Sequence, residues 1–190
     1  MIKEEYGDKV ILEPRVFMLR SEPDPTAVFN DYRRSNWERC NDQPESGDYR
    51  MWEGGGDYPI CSMPSAQAGL AARAQGPEMW DAFHMNLLAA IFTNSRDITQ
   101  LEVLSDVAEK SDLDVDLFRD EVASEFHRDQ AVREYTEAIN RGVTGIPTVV
   151  VNDEAMLVGA VPRENYRFVI NHILENGELP TQASQGLPQF

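Results

Sequence analysis

The chain has 190 residues, 42% of them hydrophobic, and carries 33 acidic against 17 basic side chains for a net charge of −16. That is enough apolar material for a core, which argues against global disorder, and no stretch approaches the roughly 20 apolar residues that span a bilayer. The acid excess argues against nucleic acid as a partner, because phosphate binding relies on clustered Lys and Arg.

The N-terminus, Met1-Ile2-Lys3-Glu4-Glu5, is charged and lacks the apolar centre of a secretory signal. The expected compartment is therefore the cytoplasm. Lys9–Leu19 reads as a strand with both faces partly covered, and Pro14 within it predicts a sheet edge. Asp24-Pro25 has the form of an N-cap and first-turn proline, with a helix running to about Cys40. Asn41–Pro59 holds Pro44, Gly47 and Gly54-Gly55-Gly56 without periodicity. A loop that long fits either a functional border or a simple insertion.

From Ser62 to Arg141 the pattern is helical throughout. Ser65–Gln75 is alanine-rich and stops at Gly76. Pro77 opens a helix whose stripe of Trp80, Phe83, Leu87, Leu88 and Ile91 predicts a buried face. Thr99 and Glu102 have capping-box spacing, Asp114 or Asp116 caps a helix bearing Leu117, Phe118 and Val122, and a last helix, about Asp129–Asn140, stops at Gly142. Then Thr148–Val151 reads as a buried strand, Asn152-Asp153-Glu154 as a turn, and Met156–Val158 as the hairpin partner. Pro162 opens a closing helix with Tyr166, Val169, Ile170 and Ile173 on one face, ending before Gly177. Glu178–Phe190 reads as a loose tail.

The most specific signal is Gly142-Val143-Thr144-Gly145-Ile146-Pro147-Thr148-Val149-Val150-Val151. The residues alone give a tight entry into a hairpin, with an X-Pro bond able to adopt cis at modest cost. The segment also resembles the cis-proline loop of the DsbA family of thioredoxin-like oxidoreductases. Gly159-Ala160-Val161-Pro162 with the closing helix is similar to that family's C-terminal half. Ser65–Ala72, Gln75-Gly76, Phe83-His84 and Asn94–Ile98 resemble its helical insertion, and the early segment ending Phe17–Arg20 resembles its second strand. The resemblance runs from about Gly7 to Asn176, and is nearest to the FrnE-like, or dithiol-disulfide isomerase, branch.

That resemblance implies an α/β, thioredoxin-like fold: one domain over residues 1–177 with a helical insertion at about 25–140, then a tail at 178–190. It implies thiol-disulfide oxidoreductase or isomerase activity without a cofactor. The substrates would be thiol- or disulfide-containing proteins or small molecules, glutathione among them. By position, Thr144, Gly145, Ile146, Pro147 and Thr148 would bind substrate, Ile146 offering its backbone to an extended chain.

The family's catalytic pair is Cys-x-x-Cys at a helix N-terminus, where a low-pKa thiolate attacks the substrate disulfide. No such motif occurs in these residues. The family's first strand and the helix carrying that pair are expected ahead of Met1, with Met1–Tyr6 as that helix's last turn. A start placed too late is the preferred explanation, over an isolated fragment or a lost redox centre. Without that strand, the segment carrying Pro14 has no obvious neighbour.

Cys40 and Cys61 fit separate reduced thiols, as expected of a reducing cytosol. His84 reads as a core or half-buried residue, His127 lies at a helix boundary, and His172 lies near a helix end. No metal-ligand or Ser-His-Asp spacing emerges from the three. Two other readings stay open: a glutathione-using relative of kappa glutathione transferase or hydroxychromene-carboxylate isomerase, and a non-catalytic peptide-binding module. As given, the chain is expected to be inactive or impaired.

Overall fold

Small side chains decide how the helical part packs. In the computed structural model, which describes residues 2–43, 46–55 and 58–180, Ala68, Ala71 and Ala72 are fully buried on α3 (Met63–Ala74). With no bulk at those positions, α3 packs closely against α4 (Pro77–Phe92), α5 (Leu101–Lys110) and α6 (Val115–Val122). Phe83 and Phe118, both at 0% exposure, fill the space between with rings 5.4 Å apart. Leu104, Val107 and Leu113 complete this core. Burying an aromatic side chain stabilises by about 1.5–3 kcal/mol, so the two rings anchor the block.

Several predicted boundaries move. The helix expected from Asp24-Pro25 begins later, as α2 (Asp31–Asn41), capped by the Asn30 side chain accepting from the Arg33 N–H at 3.1 Å. Asp24 instead accepts from the Thr26 N–H and hydroxyl at 2.9 and 2.6 Å, closing a local turn. The Thr99/Glu102 capping box does not form. Asp97 takes the Thr99 N–H and hydroxyl, and α5 starts at Leu101 after an N-cap Gln100 that makes no side-chain cap bond. Asp114, not Asp116, caps α6 through the Leu117 N–H. The helix expected from Asp129 starts earlier, as α7 (Glu125–Asn140).

Lys9–Leu19 is not a strand. Ile2–Tyr6 is helical (α1), Gly7–Lys9 is one 3-10 turn, and residues 10–18 run extended without a sheet partner. Side chains fasten the segment instead of a ladder. Glu134 of α7 accepts from the Val16 N–H at 2.9 Å, and Arg73 of α3 donates to the Pro14 carbonyl at 2.7 Å. Met18 is buried beside Met63, Leu70 and Ala131, while Ile11 and Leu19 point outward, 87% and 63% exposed. Leu12, on the same side of the expected strand as Met18, is also 54% exposed; a ladder needs a neighbouring strand, and the described residues supply none.

The loop 41–59 is built inward. Trp52 and Tyr58 are buried with Ala27 and Trp37, and Phe29, Tyr49 and Phe92 pack around them. Asn41 holds Tyr49 through both its amide groups, and the Phe92 carbonyl accepts from the Arg50 N–H at 2.8 Å. Pro44 and Gly56 lie outside the described residues.

The chain divides into two compact units, Met1–Ala138 and Ile139–Phe190. In the second, β1 (Thr148–Val151) pairs antiparallel with β2 (Ala155–Val158), Thr148 opposite Val158 and Val149 opposite Leu157. Asn152 and Asp153 turn the hairpin in left-handed conformation, at φ 51° and 61°, a hand that follows the twist of the strands. Val149, Val151 and Leu157 pack against Tyr166, Val169 and Ile173 of α8 (Arg163–Asn176). Gly177 ends α8 at φ 76°, where a side chain would be strained. Of the expected tail, residues 181–190 lie outside the described residues.

Candidate substrate-docking site

After α7, Gly142 takes φ 86° and its N–H bonds the Ile139 carbonyl at 2.9 Å, turning the chain out of the helix. Val143 then buries its side chain, while Thr144, Ile146 and Pro147 are exposed, Ile146 at 53%. The Ile146–Pro147 peptide bond is cis. The Thr148 hydroxyl donates to the Gly145 carbonyl at 2.8 Å, closing the loop across the proline. Thr144, Gly145, Ile146, Pro147 and Thr148 thus form one continuous corner at the head of β1.

The phase of the ladder follows from one bond. The Gly159 N–H donates to the Pro147 carbonyl at 2.8 Å, and in an antiparallel pair the inward and outward backbone groups alternate. Residues 147, 149 and 151 therefore face β2. The backbone groups of Thr148 and Val150 face the other way, along an edge that no strand among the described residues occupies. No hydrogen bond among the described residues engages the N–H or carbonyl of Ile146. An extended chain laid there would find donors and acceptors at strand spacing.

Cys40 and Cys61 are both free and belong to the first unit. Cys40 crowds Tyr49, whose hydroxyl is pushed up by burial and, less, by that thiol. Cys61 sits just ahead of α3, its Sγ accepting from the Met63 N–H at 3.5 Å.

The histidines divide. His84 is exposed rather than core, its ring stacked on Trp80 at 4.9 Å. Partial desolvation holds its pKa below the ordinary value, with Asp81 pulling the other way. His127 is buried, with Nε2 2.6 Å from a Glu121 oxygen but too far off axis for a hydrogen bond. His172 lies 6.2 Å from Phe168, ring to ring. Among the described residues no cluster of His, Cys, Asp and Glu could hold a metal, and no helix is long and apolar enough to cross a membrane.

The family model for the DSBA-like thioredoxin domain matches residues 62–170, from the residue before α3 into α8. The chain belongs to that family. DSBA-like domains form a thiol-disulfide oxidoreductase family with a thioredoxin-like fold, here largely helical with a small two-stranded sheet. Among solved structures, the chain is similar to a candidate protein disulfide isomerase from Nitrosomonas europaea. That likeness has a TM-score of 0.64 at 17% identity and covers 78% of this chain and 77% of that one. At that identity it speaks for the fold alone. No curated protein matches the sequence. The DSBA-like match includes the corner at Thr144–Thr148 but neither Cys40 nor Cys61.

Proposed function

We propose that this DSBA-like chain holds the substrate in thiol-disulfide exchange, with Thr144, Gly145, Ile146, Pro147 and Thr148 as its docking corner. An extended, cysteine-containing polypeptide would pair with the backbone of Ile146 and the outward backbone of Thr148 and Val150, adding a strand to β1. The observation that carries this is the open edge of β1, preceded in the chain by Ile146, whose backbone makes no hydrogen bond among the described residues. Main-chain pairing suits a substrate range set by extended conformation more than by side-chain identity. In this reading the exchange itself needs a Cys-x-x-Cys pair, and these 190 residues contain none. Cys40 and Cys61 take no part in it.

The test is a pair of measurements on the 190-residue chain. Insulin-disulfide reduction should not rise above the dithiothreitol background. A fluorescent, extended cysteine-containing peptide should bind by anisotropy, and N-methylation at alternate backbone positions should weaken it by about tenfold or more, as expected for lost main-chain bonds. Binding indifferent to N-methylation would sink the docking corner. Insulin reduction by the chain, abolished in Cys61→Ser, would move the chemistry to a thiol excluded here.

A further inference from the structure

We propose that Arg20 and Arg33, which lie over the ring of Tyr58, form a binding site for carboxylate ligands in the first unit. Their guanidinium carbons lie 5.7 and 4.8 Å from the Tyr58 ring centroid, and Arg34 sits 5.6 Å from the neighbouring Phe29 ring. Phe29 and Tyr58 are themselves 6.0 Å apart, so three cations converge on one aromatic surface.

What marks the cluster is that no carboxylate among the described residues makes an ion pair with it. Acidic residues outnumber basic ones 33 to 17, and Arg15, Arg50, Arg73 and Arg96 each pair with a carboxylate. Among the described residues Arg20, Arg33 and Arg34 pair with none. The Asp24 carboxylate, the acid whose charge reaches Arg20 and Arg33, is turned to Thr26, which chiefly holds it below the usual carboxylate range. Arg33 spends one Nη1 bond on the Val28 carbonyl. Among the described residues Arg20 makes no side-chain hydrogen bond, although it is half-buried.

A guanidinium attracted to an aromatic face keeps N–H groups that can grip a carboxylate through two parallel bonds. Two guanidinium groups over one ring, with no ion-paired acid among the described residues, suit an acidic ligand. The repulsion of the −16 chain would deter anions elsewhere on the surface. The site needs no redox chemistry, so its failure and that of the docking corner are separate results.

Succinate and an acetylated, amidated tetraglutamate peptide distinguish a free dicarboxylate from an acidic polypeptide, with tetraglutamine as control. Binding is read by calorimetry at low salt and by tryptophan fluorescence, since Trp52 lies 5.2 Å from Tyr58. At least one acidic probe should bind, and Arg20→Gln and Arg33→Gln should each weaken it about fivefold or more. Arg96→Gln, elsewhere on the chain, should not. Arg20→Lys keeps the charge but loses the planar fork, and should also weaken binding if the glutamine variants fail to fold. No binding of either probe up to about 10 mM, or binding that Arg20→Lys and Arg20→Gln leave unchanged, overturns the site.

Discussion

Glu134 shows what one side chain can organise. Only 5% exposed, it accepts from Arg73, from the Val16 N–H and from Gln130, tying α3 and the extended segment to α7. Burial pushes its carboxyl up, but the bonds from Arg73, Val16 and Gln130 outweigh burial and leave its pKa below the ordinary 4.5. A carboxylate depressed in the folded state contributes stability that is present above its unfolded pKa and lost as pH falls through the folded one. Urea denaturation should therefore show the wild type losing stability below about pH 4.5, with a shallower loss in Glu134→Gln. At pH 7 that variant should cost roughly 2–3 kcal/mol, less than a fully buried pair because Arg73 keeps some water contact. Gly54 makes a second residue-scale case. A Cβ there would sit 2.6 Å from the Trp52 ring, so Gly54→Ala should shift tryptophan emission and lower stability by about 1–3 kcal/mol.

At the scale of elements, the hairpin and α2 differ in how local their causes are. Asn152 and Asp153 both need left-handed backbone, and Asn tolerates it better than branched residues do. Asn152→Val should destabilise by about 1–2 kcal/mol in thermal or urea unfolding. For α2 the cap is Asn30, and Asn30→Ala should cost about 1 kcal/mol, whereas Asp24→Ala should leave the helix content measured by circular dichroism unchanged. Equal helix loss in both variants would return the helix start to Asp24.

For the whole molecule, charge and core act in opposite directions. A net charge of −16 on 190 residues repels itself, and added salt screens that repulsion over about 10 Å at 0.1 M. The melting temperature should rise between low salt and about 0.5 M sodium chloride, and a fall would mean that the ion pairs outweigh the repulsion. Phe118→Ala removes the fully buried ring facing Phe83. It should cost about 3–5 kcal/mol, a large fraction of a domain's ordinary stability, read as a lowered urea midpoint.

The sequence by itself determined what depends on neighbours in the chain. Glycines at 142 and 177, prolines at 77 and 147, and the run Thr148–Val151 marked the helix stops, one helix start and the hairpin, because turn geometry and strand preference are properties of a few adjacent residues. The family resemblance rested on those same local segments. Tertiary structure decided the rest. Lys9–Leu19 has the apolar residues of a strand with both faces partly covered, yet pairing belongs to two segments, and Glu134 and Arg73, over fifty residues away, hold it instead. Asp24 and Asp97 had acceptors suited to helix caps, but nearby threonines claimed them. The loop 41–59 looked shapeless because its order comes from Trp52 and Tyr58 entering an aromatic core assembled from distant parts of the chain. The arginines on Tyr58 were invisible for the same reason: residues 20, 33 and 58 share no spacing, and only folding brings their charges to one ring.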